Sequence, residues 1–225
     1  MSSDLSDRIQ PIRLVLLDDH RIFLDSLSFR INRESTLQVV GVAESAQEAL
    51  PLLLEHRPDI LVLDLALTQG GTFELCEEMK RQELPTRICF LTNQLVNVFI
   101  EQALRLEAHG YLLKVDPLCK LLEAIPKIHQ GEQVFSEEIQ QRLRYNRQTK
   151  KYTIDSPHSL KKLTSRQFEV LRQLARGKSV KEVAKDMHLS TKSVDSHKYR
   201  IMHKLGIHDR VELARFAIRE GLLLP

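Results

Sequence analysis

The sequence predicts a doubly wound parallel α/β domain followed by a small all-α domain. Three observations lead there. Through the first 130 residues, short apolar runs with β-branched members alternate with amphipathic stretches; several of those runs end in a charged or polar residue; and beyond a polar stretch near residue 150 the pattern turns purely helical. At 225 residues, with 42% hydrophobic and 28% charged content, the chain can hold two ordinary domains of a soluble protein. Charge divides it the same way. Residues 1–149 carry 16 Lys+Arg against 22 Asp+Glu, and residues 150–225 carry 17 against 8, balances of −6 and +9. A basic second part points to a polyanionic partner.

In order, a strand over 14–17 is followed by a helix over 21–33 with Leu24, Leu27 and Ile31 on one face. The second strand covers 37–42. The helix after it, 46–56, has Ser45 as cap, and Pro51 inside it is expected to bend it or shorten its first turns. The third strand, Ile60-Leu61-Val62-Leu63, follows Pro58 and is apolar throughout, as in a strand buried on both faces. A Gly70-Gly71 turn leads to a helix over 73–81 that buries Cys76 and Met79. A fourth strand over 87–91 ends at Thr92, a helix follows over 97–107, and a fifth strand over 110–113 ends at Lys114. Asp116-Pro117 is a helix opening, with Asp as cap and Pro in the first helical position.

Five strands alternating with helices give a flavodoxin-like sheet of order 2-1-3-4-5, whose first and third strands are neighbours and whose ligands bind at the carboxyl ends. Strand one ends in Asp18-Asp19 and strand three in Asp64, so three carboxylates converge on one spot. Such a cluster repels itself unless a cation neutralises it.

No apolar run approaches the roughly 18 residues of a membrane span, and the amino terminus has no basic-then-apolar signal pattern. A cytoplasmic protein with no membrane partner is expected. Cys76, Cys89 and Cys119 are odd in number, sit in apolar contexts and lack paired metal-ligand spacing, so they read as buried thiols.

Asp18-Asp19, Asp64, Thr92 and Lys114 at the ends of strands one, three, four and five resemble the receiver domain of bacterial response regulators over nearly its full length. The resemblance implies phosphoryl transfer from a sensor histidine kinase or a phosphotransfer protein to Asp64, whose carboxylate is the nucleophile and becomes an acyl phosphate. It also implies Mg²⁺, a hard cation held by Asp18, Asp19, Asp64 and the backbone carbonyl of Ala66. Lys114 would pair with phosphoryl oxygens, Thr92 would swing its hydroxyl towards them, and Tyr111, three residues before the Lys, would be the coupled aromatic switch. Where most receivers carry Met-Pro in the loop after the phosphorylated Asp, this chain has Leu67-Thr68, and the usual Lys-Pro is replaced by Lys114-Val115-Asp116-Pro117. A similar Pro offset occurs in the NarL/FixJ-like group. Asp64-Leu65-Ala66-Leu67-Thr68 also superficially resembles haloacid-dehalogenase-type phosphohydrolases, but those need a general acid/base at the position of Ala66. The chain is therefore not expected to be an enzyme.

A helix is possible over 137–147, and the polar stretch 145–159, with Asn146, Gln148, Thr149, Ser156, Pro157 and Ser159, reads as a linker. The expected division is a receiver over 1–130, helix and linker over 131–158, and a DNA-binding domain over 159–225. Four helices are expected in the last: 165–176 with Phe168, Leu171 and Leu174 inward, 180–188, 191–205, and Asp209 to Gly221. Gly177 and Gly206 punctuate them. Leu163-Thr164-Ser165-Arg166-Gln167-Phe168-Glu169-Val170-Leu171, Gly177-Lys178-Ser179 and Lys204-Leu205-Gly206 resemble the LuxR-type helix-turn-helix, with Gln167 for the commoner Glu.

In such a fold the helix 191–205 enters the major groove. Lys178, Lys181, Lys198, Arg200 and Lys204 are candidate phosphate contacts, and Lys192, Ser193, Asp195, Ser196 and Tyr199 are candidates for base edges. Asp195 could accept from a cytosine amino group or simply orient a neighbouring Lys. Val211, Ala214, Ala217 and Ile218 form an apolar stripe that either joins two copies in a homodimer or packs on Phe168 and Leu171. The receiver is a second route to a dimer. The expected function is a two-component response regulator of the NarL/FixJ type, binding promoter DNA under control of Asp64 phosphorylation. The rival is a receiver-like domain that controls the same DNA-binding domain without phosphorylation. The acidic receiver is further expected to cover the basic DNA surface until phosphorylation releases it.

Overall fold

The structure, a computed structural model, describes residues 10–155, 160 and 162–222. The expectations for the amino terminus, for Ser156, Pro157 and Ser159, and for the boundary at 158/159 lie outside the described residues. Strands β1 (Ile12–Leu17), β2 (Leu37–Ala43), β3 (Ile60–Leu63), β4 (Arg87–Thr92), β5 (Gly110–Leu113) and β6 (Val134–Phe135) form one sheet of order β2-β1-β3-β4-β5-β6. Every pairing in it is parallel. The expected order 2-1-3-4-5 is present, with β6 added at the edge.

Alternation along the strands separates the two faces. Leu14, Leu16, Ile60, Val62, Cys89 and Leu91 pack with α1 (Arg21–Ile31) and α5 (Leu118–His129). Val15, Leu17, Leu61, Leu63, Phe90 and Tyr111 face α2 (Ala46–His56), α3 (Thr72–Arg81) and α4 (Asn97–Arg105). The register pairs Leu17 with Leu63, which brings the residues that follow, Asp18 and Asp64, to the same level.

Several expectations are corrected. Pro51 does not shorten helix α2, which spans Ala46–His56, because Ser45 caps it and Ala49 and Leu53 anchor it in the core. Asp116 does not cap α5: Pro117 occupies the cap position, and the Asp116 carboxylate accepts the Ser136 hydroxyl instead. Cys76 and Cys89 are buried, and burial pushes the Cys89 thiol up to about 12, but Cys119 is exposed. The possible helix over 137–147 is only α6 (Glu137–Gln140). The polar stretch after it contains an antiparallel hairpin, β7 (Leu143–Asn146) and β8 (Lys151–Ile154). Asn146 closes the turn by accepting the amides of Gln148 and Thr149. The hairpin is held by Tyr152, whose ring lies 5.0 Å from Tyr145 and 5.2 Å from Phe135, and by the buried Ile154.

Helices α7 (Ser165–Ala175), α8 (Val180–Asp186), α9 (Thr191–Leu205) and α10 (Arg210–Arg219) make the second domain. Thr164 with Gln167 and Ser179 with Glu182 form reciprocal capping boxes. Ser190 and Asp209 cap α9 and α10, and Gly206 ends α9 at φ 66°, a conformation that costs glycine little. Phe168 of α7 meets Phe99 edge-on at 5.3 Å and lies 6.0 Å from Phe73, so the core continues from one domain into the other. Among the described residues no helix is long and apolar enough to cross a membrane.

Candidate functional site

At the carboxyl ends of β1 and β3 the Lys114 Nζ lies 2.5 Å from Asp18 Oδ2 and 3.2 Å from Asp64 Oδ2. Both carboxylates are 3% exposed, so one ammonium offsets two nearly buried charges. Asp64 Oδ1 is buried with no partner among the described residues. Asp19 accepts the Thr68 amide at 2.7 Å and hydroxyl at 2.5 Å. Burial works to raise the Asp19 pKa, but the Thr68 hydrogen bonds and His20 outweigh it and hold the carboxyl below its ordinary range. The His20 ring nitrogen Nδ1 stands 2.9 Å from Asp18 and 3.0 Å from Asp19. Asp18, Asp19 and His20 can thus offer ligand atoms within 4.8 Å of one another. The sequence singles out the two aspartates but not His20, although it directly follows them. Ala66 lies in the β3–α3 loop, half-buried, and Gly70 and Gly71 close that loop at φ 75° and 88°.

Thr92 and Tyr111 are brought together by a residue the sequence does not single out. The Gln94 amide donates to Thr92 Oγ1 at 3.3 Å, while the Tyr111 hydroxyl donates to the Gln94 carbonyl at 2.6 Å. Both side chains are buried. Burial, with Asp64 nearby, pushes the Tyr111 phenol pKa up, so it remains a donor.

The β3–α3 loop is also gripped from the second domain. The Gly71 and Phe73 amides donate to Glu169 at 3.1 and 2.8 Å, which fills a donor that the start of α3 leaves without a helical partner. Arg172 Nη1 donates to the Leu65 carbonyl at 2.7 Å. Gln173 Nε2 and Lys178 Nζ donate to the Thr68 carbonyl at 3.3 and 3.1 Å. Arg166 is ion-paired with Glu74 across the same boundary. Burial raises the Glu169 pKa against the opposing pull of the two amides, Arg166 and Arg172.

On the helix-turn-helix, α8 and α9 are joined by a turn in which His188 takes φ 51°. Lys192, Asp195, Ser196, Tyr199 and Arg200 of α9 and Lys181 of α8 point outward, and Lys198 is half-buried. Tyr199 is 72% exposed. The expected covering of the DNA surface by the receiver is corrected in extent: docking is mainly through α7, the receiver reaches that surface at Lys178, and the outer face of α9 remains open. Three other candidates are engaged. Ser193 is paired with Ser190 at 2.8 Å, Lys178 binds Asp186 at 2.7 Å, and Lys204 donates to Lys162 and Gln167 at 2.8 and 2.7 Å. The apolar stripe of α10 divides: Leu213, Phe216 and Ala217 are buried, Ala214 is half-buried, and Val211 and Ile218 are exposed.

Comparison with known proteins gives two family matches. The response regulator receiver domain matches residues 14–126, and the family of bacterial regulatory proteins, luxR family, matches residues 161–217. The oxygen regulatory protein NreC of Staphylococcus epidermidis is 30% identical over 94% of this chain and 99% of its own length. NreC of Staphylococcus aureus is likewise 30% identical over 94% of the chain. Among solved structures, the RcsB response regulator of Salmonella typhimurium matches with TM-score 0.65 and 25% identity over 92% of this chain and 96% of its own. A LuxR-family two-component response regulator from Aurantimonas sp. matches with TM-score 0.56 and 32% identity, over 59% of this chain and 94% of its own.

Proposed function

Because the chain belongs to the response regulators that join a receiver domain to a LuxR-family DNA-binding domain, we propose that Asp64 accepts a phosphoryl group from a sensor histidine kinase or phosphotransfer protein and thereby controls binding of promoter DNA by α8 and α9. The observation that carries this is the single Lys114 ammonium held between Asp18 and Asp64 at the carboxyl end of the sheet. A carboxylate oxygen of Asp64 attacks phosphorus as the phosphorus–nitrogen bond of a phosphohistidine breaks, leaving an acyl phosphate. Lys114 is placed to move its charge onto the new phosphoryl oxygens, and the Thr92 hydroxyl to follow once released from Gln94. Asp18, Asp19, Asp64 and the Ala66 carbonyl would hold Mg²⁺: the donors are hard oxygens, and the unpartnered, buried Asp64 Oδ1 suits a cation. Bound there, the ion supplies positive charge against which the phosphoryl oxygens and the carboxylates can meet.

On the DNA side, Lys181, Lys198 and Arg200 hold phosphates, while Lys192, Asp195, Ser196 and Tyr199 read base edges. Lys178, Ser193 and Lys204 reach DNA only if their present partners release them. RcsB, with which the chain shares its fold, has been solved in work on its interaction with DNA. The protein acts as a regulator in the cytoplasm and turns over no substrate, as two copies joined through α10 or the receiver.

The test is mass measurement of the protein incubated with a small phosphodonor and Mg²⁺. The wild type gains one phosphoryl group and Asp64→Asn gains none while keeping its fold, since the amide is nearly isosteric but a far poorer nucleophile. A mutant that still gained the group would displace the site from Asp64, and a wild type that never gained it would favour control without phosphorylation.

A further inference from the structure

The domain boundary contains a cation whose donors are not all used. Arg172 of α7 is 5% exposed, its Nη1 is spent on the Leu65 carbonyl, and its guanidinium lies 5.1 Å from the centre of the Phe99 ring. Its Nη2 is buried with no partner among the described residues. Leu65 directly follows Asp64, whose Oδ1 is likewise buried without a hydrogen-bond partner among the described residues, as are Asp19 Oδ1 and Gln173 Oε1 nearby. Burial, and then Arg176, lower the Arg172 pKa to about 10, with Glu169, Asp64 and Tyr111 opposing the fall. At that value the side chain is still a cation at neutral pH.

Gripping the loop does not need such a group, because the neutral Gln173 grips the neighbouring Thr68 carbonyl. A buried guanidinium with an unfilled donor is costly, and its planar fork is the side-chain shape best matched to a phosphoryl anion. We propose that Arg172 is a phosphoryl ligand contributed by the DNA-binding domain, its Nη2 binding the group carried on Asp64 while Nη1 keeps the Leu65 carbonyl. The inference rests on the reading of Asp64 as phosphoacceptor. In consequence phosphorylation tightens the docking of α7 on the receiver, and the charge of the phosphoryl group is felt directly by the helix that packs on the reading head.

The experiment titrates full-length protein with beryllofluoride and Mg²⁺, following ¹⁹F resonances. Loss of one charge-assisted hydrogen bond makes Arg172→Gln bind beryllofluoride roughly ten- to a hundredfold more weakly, about 1.4 to 2.8 kcal/mol. Arg172→Lys, with its charge kept but the fork lost, falls between. Arg166→Gln, which breaks the Glu74 pair of the same interface, stays within about twofold of wild type, as expected for a partly exposed ion pair. Equal affinity in Arg172→Gln and wild type overturns the proposal, and so does an equal loss in Arg166→Gln. Should both Arg172 variants fail to fold, amide exchange on the wild type decides: α7 must become more protected with beryllofluoride, and lesser or unchanged protection overturns the inference. A wild type that neither binds beryllofluoride nor gains phosphoryl mass defeats the Asp64 reading and this one with it, whereas a phosphorylated wild type with indifferent Arg172 variants defeats this one alone.

Discussion

Asp19 and Thr68 are joined twice, the Thr68 amide and hydroxyl both donating to the one carboxylate oxygen of Asp19. A cation that takes Asp19 Oδ2 as ligand competes with those bonds, whereas one held by Oδ1 alone does not. The same Thr68 offers its carbonyl to Gln173 and Lys178, so the acidic pocket and the domain boundary share a residue.

Thr68→Val removes the hydroxyl while keeping the amide and the shape. Its net hydrogen bond contributes about 0.5–1.5 kcal/mol, so Mg²⁺ should bind about two- to tenfold more tightly. Calorimetric titration of Mg²⁺ into wild type and variant measures this, and an affinity that is equal or weaker would mean that Thr68 does not compete for Asp19.

Glu169→Gln tests the grip on α3. A carboxylate accepts from both Gly71 and Phe73, whereas an amide presents one oxygen and sets an N–H₂ against the other donor. The loss is about 1–3 kcal/mol of docking, the cost of a buried donor left unpaired. Hydrogen exchange at the Gly71 and Phe73 amides should speed up in the variant while the interior of α3, around Cys76, keeps its protection. Unchanged exchange at both amides would remove Glu169 from the docking.

The ends of β1, β3, β4 and β5 are legible in the sequence because buried parallel strands leave apolar runs that stop abruptly at Asp18, Asp64, Thr92 and Lys114. Strand β6 is not legible, since two residues carry no period. The β7–β8 hairpin hides for a different reason: its strands are mostly exposed, and only Leu143, Tyr152 and Ile154 turn inward. The polar face of α7 is the most instructive case. Glu169, Arg172 and Gln173 are buried against the other domain, although on a helix such residues ordinarily face water. Periodicity ranks faces by polarity and says nothing about a partner that accepts polar groups. The stripe of α10 is split for a related reason: Ala217 turns inward beside the anchors Leu213 and Phe216, while Val211 and Ile218 are exposed.

Lys181 and Lys204 should separate under salt. Lys181 is exposed, and Lys181→Ala should lower the slope of log affinity for duplex DNA against log salt by about 0.9, the effect of one phosphate contact, with stability unchanged. Lys204 joins the carbonyl of Lys162 to Gln167, which completes the capping box of α7. Lys204→Ala should therefore lower the unfolding midpoint by several degrees, for roughly 1 kcal/mol. Filter binding at several salt concentrations and thermal melts measure both; a Lys204→Ala protein with wild-type melting and a reduced slope would return Lys204 to the DNA surface.

A single helix-turn-helix reads too few base pairs to find a promoter among genomic competitors, so two copies on half-sites about one helical turn apart are expected. Helix α10 offers the means. Leu213, Phe216 and Ala217 hold it to its own domain, which leaves Val211 and Ile218 outward at 61% and 46% exposure with Ala214 between them. In a two-fold contact each residue counts twice. Burying an Ile contributes about 1.5–3 kcal/mol, so Ile218→Glu should weaken occupancy of a paired site at least tenfold while a single half-site is bound as before. Because Ile218 is half-exposed and not an anchor, the variant should melt as the wild type does, within about 0.5 kcal/mol. Footprints on paired and single half-sites, with sedimentation of the complexes, measure the difference. If Ile218→Glu filled the paired site as the wild type does, the contact between copies would have to come from the receiver.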